Sequence, residues 1–180
     1  MAATLKELVR IDESLALSFP EISRILTGRF GQGKTIYYCD LETVKGPYTQ
    51  QNIIGHHDCA AILLSASLGG GTKVQRHWTG LIKNARGFSF FDSLGMSWKT
   101  LNHLLGDTRL TDFLRKIKAE PSTRKLQSHS RKVRTCGMHL SVRLAFHKKT
   151  NSEYVKFITS DRHRTVDESV VTLCVIGLLN

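Results

Sequence analysis

Arg134-Thr135-Cys136-Gly137-Met138-His139-Leu140 marks the point where a basic loop gives way to an apolar-periodic segment. Leu140, Leu144 and His147, with Met138, Val142 and Ala145 beside them, recur at the spacing of one helical face. The spacing predicts a central buried helix that begins at about the cysteine. A helix start presents unpaired N–H groups and the positive end of the macrodipole, and both favour a thiolate over a thiol whose free pKa is roughly 8.5. Cys136 is therefore the candidate nucleophile.

Upstream of it, three residues complete a set. Gln127 stands in the polar loop from Glu120 to Arg134, Asp92 follows Phe90-Phe91, and His77 precedes Trp78. Val74 to Ile82 and Arg86 to Phe91 are strand candidates joined by Lys83-Asn84-Ala85, a connection suited to a hairpin that carries His77 on one strand and Asp92 at the end of the other. A histidine beside a thiol can form a thiolate–imidazolium pair, and a carboxylate on the second ring nitrogen holds the ring in place. The Gln127 amide and the Cys136 backbone N–H can both donate to the oxyanion that forms when a carbonyl is attacked. Taken singly, each residue has a plainer role: a buried cysteine, an edge histidine over Trp78, a turn aspartate, a surface glutamine. The ordered set of four points to catalysis.

The succession His77-Trp78, Phe91-Asp92-Ser93-Leu94-Gly95, Gln127-Ser128 and Cys136-Gly137 resembles the adenovirus-type (adenain-like) cysteine proteases and their relatives, the deconjugases of ubiquitin-like proteins, over roughly Ala60 to Phe157. The resemblance implies His77 as general base and acid, Asp92 as its orienter, Gln127 as oxyanion donor and Cys136 as nucleophile. It implies an α+β fold of papain-like/adenain-like architecture, a mixed β-sheet packed against a central helix whose N-terminus carries the nucleophile. From the viral branch it implies cleavage of capsid-precursor or core proteins near glycine, in the host nucleus or the virion. No cofactor is implied for the chemistry, while DNA or a peptide can act as an activator. Two features depart from the family pattern: Gln127 lies nine positions before Cys136, a longer gap that requires Ser128 to Thr135 to bulge, and Met138-His139 follows Cys136-Gly137 where small or aromatic residues are familiar.

Composition bounds these expectations. A chain of 180 residues suits one domain, here divided into an N-terminal helical region (1–35), a sheet region with His77 and Asp92 (36–96) and a mainly helical region with Gln127 and Cys136 (97–180). With 41% hydrophobic residues and three prolines it has a globular composition, and no apolar run reaches the roughly eighteen residues of a membrane span. Residues 4 to 18 predict an amphipathic helix ending before Pro20 and do not form a signal peptide, so secretion is not expected. Four widely spaced cysteines then suggest reduced thiols inside a cell. The net charge of +11 favours a polyanionic partner, nucleic acid rather than membrane, with Arg124, Lys125, Arg131, Lys132 and Arg134 as the candidate contact set and Arg162-His163-Arg164 as a further cluster.

Other motifs compete. Gly28-Arg29-Phe30-Gly31-Gln32-Gly33-Lys34-Thr35 matches the phosphate-loop pattern letter for letter, but that loop needs a strand before it and a helix after it. Here Glu21 to Leu26 suggests a helical turn and Ile36-Tyr37-Tyr38-Cys39 a strand. His56, Cys59, Cys136 and His139 have the donor types of a zinc site without a standard spacing, so no metal is expected. Elsewhere, Cys59 to Leu68 is a strand or a helix, Trp98 to Ile117 predicts one interrupted or two short helices broken near Gly106-Asp107, and Asn151 to Ile158 predicts a helix with Tyr154 and Phe157 inward. Val166 to Leu179 closes the core. The expectation is a cysteine endopeptidase acting on protein precursors. A deconjugase of ubiquitin-like proteins and a non-enzymatic basic nucleic-acid-binding module are the alternatives.

Overall fold

The computed structural model describes residues 16–27, 35–67, 74–128 and 134–178. The helix expected at 4–18 falls mostly outside the described residues, as do the phosphate-loop residues 28–34 and two of the basic candidates, Arg131 and Lys132. Residues 16–18 are not helical, and helix α1 runs Phe19–Thr27 with Pro20 in its first turn, where a missing N–H costs nothing. The described flanks of the glycine-rich stretch are this helix and then strand β1 (Tyr37–Asp40), the reverse of the order a phosphate loop needs.

The protein is α+β. Strands β1, β2 (Cys59–Ser67), β3 (Val74–Asn84) and β4 (Gly87–Asp92) form one sheet in the order β1-β2-β3-β4, with β1 parallel to β2 and the other pairs antiparallel. The segment whose periodicity did not decide between strand and helix is β2. Alternate residues on it are buried on both faces: Ala60, Ile62 and Leu64 in one core, Cys59, Ala61 and Leu63 in the other. A strand covered on both sides loses the apolar–polar alternation that would betray it. The β3–β4 connection is two residues, Ala85-Arg86, with Asn84 opposite Gly87, so β3 runs two residues further than the sequence suggested.

Helices α2 (Gln50–Ile53), α3 (Trp98–Leu105) and α4 (Arg109–Lys116) cover one face, filling it with Ile53, Leu101, Leu110 and Leu114. The other face holds α1, α5 (Cys136–Ala145), α6 (Asn151–Ile158) and α7 (Val166–Leu178). Helix α6 starts at a reciprocal cap between Thr150 and Glu153, and α7 at an equivalent pair, Thr165 and Glu168. Tyr154 is fully buried as expected, but Phe157 is 36% exposed and packs at the rim on Phe146. The one-turn spacing that turns Tyr154 inward leaves a residue three positions on displaced from the centre of the same face. Among the described residues no helix is long and apolar enough to cross a membrane.

What brings α5 close enough to the sheet to matter is the absence of a side chain at Gly80 on β3. A Cβ there would lie 2.6 Å from Leu140 Cδ1 and 3.3 Å from the Ala60 carbonyl oxygen. Gly80→Ala must therefore push α5 off the sheet, and we expect a loss of about 1–3 kcal/mol, the ordinary cost of overpacking a core. Urea denaturation will read it, and the cost should shrink when Leu140→Ala is added, because the two sites share one contact.

Candidate active site

The site begins with a buried carboxylate. Asp92 ends β4 opposite Thr79, which puts it on the same face of the sheet as His77 two residues along β3. Asp92 is 1% exposed and His77 6%. Asp92 Oδ1 meets His77 Nε2 at 2.7 Å and accepts from the Leu94 N–H at 2.9 Å, while Oδ2 accepts from the Met96 N–H at 2.9 Å. A buried carboxylate needs such partners for its lone pairs, and the two backbone bonds also fold residues 92–96 into a tight turn. With Nε2 committed to Asp92, Nδ1 is the ring nitrogen left for the thiol.

Cys136, partly exposed, lies close enough to His77 for the ring to act on its thiol. It can reach the ring because β3 continues past the last paired residue of β4, leaving His77 at an open end of the sheet. Burial alone would raise the Cys136 thiol. The hydrogen bond and charge of His77, then the backbone N–H groups of Trp78 and Gly137, outweigh it and leave the thiol below its ordinary value. For His77, burial works to lower the pKa, and the hydrogen bonds and charges of Asp92 and Cys136 overcome it, pushing the ring up to about 9. Both directions favour thiolate–imidazolium over thiol–imidazole. Gly137 is required beside Cys136: a Cβ there would sit 2.9 Å from Leu17 Cβ and 3.3 Å from Trp78 Cδ1.

Gln127 is 7% exposed, so its side chain is not the surface group its loop alone would suggest. Ser93 Oγ donates to Gln127 Oε1 at 2.8 Å, and the Ser93 carbonyl accepts the Leu126 and Gln127 N–H groups at 2.8 and 2.9 Å. Ser93 thereby takes the acceptor end of the amide and leaves the NH₂ end as a donor. Gly95 makes this possible. At φ +61° it occupies the left-handed region, and a Cβ would lie 2.7 Å from the Arg124 carbonyl carbon and 2.8 Å from the Lys125 nitrogen. The stretch Asp92-Ser93-Leu94-Gly95 thus orients His77 with its first residue, holds Gln127 with its second and seats the Arg124–Gln127 segment against its last.

Ser93 has no role in the sequence motif, and three more residues without a catalytic assignment join the site. Thr135, His139 and Asp167 are buried around the start of α5 and bonded to one another. His139, once weighed as a zinc ligand, donates to Asp167 instead, and among the described residues no three metal-ligating side chains gather. Of the basic candidates, Arg124, Lys125 and Arg134 are exposed. A depression of about 340 Å³ at the far end of the β3–β4 hairpin, lined by Asn84, Arg86, Lys118, Glu120 and Thr150, includes none of the site residues.

All four cysteines are described and none forms a disulfide. Cys39 is buried and pushed up to about 12, first by burial and then by the neighbouring Asp40. With limiting iodoacetamide near pH 6, Cys136 should carry the label ahead of Cys39, Cys59 and Cys174, and His77→Ala should abolish that lead, as read by peptide mass spectrometry. No family model, curated protein or solved structure matches this chain.

Proposed function

We propose that this chain is a cysteine endopeptidase of the adenovirus type, encoded by a virus or virus-like element, with the papain-like/adenain-like arrangement of a sheet packed on a nucleophile-bearing helix. The observation that supports it most is buried Asp92 bonded to buried His77 beside Cys136 at a helix start, with the oxygen end of the Gln127 amide taken by Ser93. A structural cysteine gains nothing from a histidine whose other nitrogen is fixed by a buried carboxylate.

In this mechanism the Cys136 thiolate attacks a peptide carbonyl, and the oxyanion is met by the Gln127 amide and the Cys136 backbone N–H. The His77 imidazolium then gives its proton to the leaving amine, which departs and leaves an acyl-thioester. Water, deprotonated by His77, attacks the thioester and regenerates the thiolate. Asp92 keeps the tautomer throughout and supports the imidazolium charge. Cleavage of protein precursors near glycine is what the resemblance to the viral proteases implies for this thiol. Arg124, Lys125 and Arg134 lie exposed on the same loop that ends at Gln127 and Cys136, so DNA bound there would act on the loop that carries the oxyanion donor.

Cys136→Ala and His77→Ala should each abolish turnover of a glycine-containing peptide, and Gln127→Ala should lower kcat by about 10²–10³. Wild-type rates surviving either of the first two changes would sink the reading. Cleavage of a folded ubiquitin-like conjugate in preference to the peptide would move the protein to the deconjugases. Tight, salt-sensitive DNA binding with no acylation would make it a binding module. The active form exists above the lowered pKa of Cys136 and below that of His77 at about 9, so kcat/KM should rise as pH passes the lowered Cys136 pKa, plateau, and fall as pH passes about 9.

A further inference from the structure

Asp167 belongs to none of the four residues above, yet it touches the chain on both sides of the site. It lies in the first turn of α7, 3% exposed. Its Oδ2 accepts the Ser128 N–H at 2.8 Å, and its Oδ1 accepts Thr135 Oγ1 at 2.5 Å and His139 Nε2 at 3.0 Å. Ser128 is the residue after Gln127, Thr135 the residue before Cys136, and His139 lies one helical turn beyond the nucleophile. We infer that Asp167 is a positioning residue that fixes the separation of the two oxyanion donors, the Gln127 amide and the Cys136 backbone N–H. The inference rests on the endopeptidase reading.

The physical need is plain. Oxyanion donors act only when both lie about 2.7–3.1 Å from the developing charge, and these two are separated by nine positions of chain with five basic residues in or beside the gap: Lys125, Arg131, Lys132 and Arg134, with Arg124 just before. Ser93 holds the side chain of Gln127 from the β4 side, but nothing in that contact refers to the cysteine. Asp167 refers to both. It also changes the helix start: Thr135 stands at the N-cap of α5 without capping it, because its hydroxyl is turned to Asp167. The N–H groups of the first turn are thereby left to the sulfur and an incoming oxyanion. Only an acceptor-only group can serve three donors at once. Burial would raise the carboxyl, and the bonds from His139, Thr135 and Ser128 overcome it, holding it at about 2 and so ionised through any working range.

Two reactions of the same thiol separate this role from a structural one. Iodoacetamide alkylation displaces iodide at a saturated carbon and forms no oxyanion. Acetylation by p-nitrophenyl acetate passes through one: the thiolate adds to the ester carbonyl, p-nitrophenolate leaves, and the acetyl group stays on sulfur. In Asp167→Asn, which keeps the volume but turns an NH₂ toward one of the donors, the p-nitrophenolate burst rate should fall at least about tenfold, toward the 10²–10³ of a lost donor. Alkylation of Cys136 and its pH profile should stay within about twofold of wild type. Thr135→Val, which removes one bond and leaves the carboxylate, should show the same split in smaller measure. A burst unchanged in both variants, or the two reactions slowing together in Thr135→Val, overturns the inference. A wild-type protein that gives no burst and no preferential labelling of Cys136 overturns the endopeptidase reading instead.

Discussion

The 2.7 Å hydrogen bond between His77 and Asp92 governs more of this molecule than the two residues it joins. A carboxylate with 1% exposure cannot leave its lone pairs unpaired, and Asp92 satisfies them with one ring N–H and two backbone N–H groups of its own turn. Its backbone carbonyl takes a fourth donor, Ser122 Oγ at 3.0 Å, from the start of the loop that leads to Gln127. The same residue therefore sets the tautomer of the histidine, the shape of the turn after β4 and the path of the chain on which the glutamine sits. Loss of the carboxylate would disturb all three, which is why a test on Asp92 itself would separate catalysis from folding poorly.

The sheet supplies the frame in which that bond can reach a cysteine. Residues 78, 80 and 82 of β3 face α5, and Trp78 and Ile82 pack in the core around it. His77 points to the other face. β4 ends opposite Thr79, so His77 has no β4 neighbour, and there the ring can act on the thiol. A β4 two residues longer would wall His77 off. Gly80 and Gly137 work in the same direction, removing the two side chains that would hold α5 away from β3 or from Leu17 and Trp78.

Some of this was legible in the sequence and some was not, for reasons that differ residue by residue. The helix starting at Cys136 and the hairpin carrying His77 and Asp92 were visible because local periodicity and a short connection encode them. Strand β2 was ambiguous because burial on both faces erases alternation, and Phe157 was misplaced because its helix is only eight residues long and the edge of its apolar face is ill-defined. Ser93 lay in a quoted motif without a role, since a serine in a turn has an adequate local explanation. Asp167 left no trace at all. Its partners are 28, 32 and 39 residues away, and in sequence it is one of two acidic residues that any helix would welcome in its first turn.

The contrast among the thiols shows why the helix start by itself would not have sufficed. Cys39 and Cys136 both pay for burial, and burial is the largest influence on each. Beside Cys39 the next charge is Asp40, an anion, which adds to the rise; beside Cys136 it is His77, kept cationic by a carboxylate the thiol does not touch. The sign of the nearest partner, and not depth in the protein, separates a thiol with a raised pKa from one with a lowered pKa. That sign is fixed by the turn after β4. The state of the Cys136 thiol thus depends on a residue 44 positions earlier in the chain, and on the sheet that carries it there.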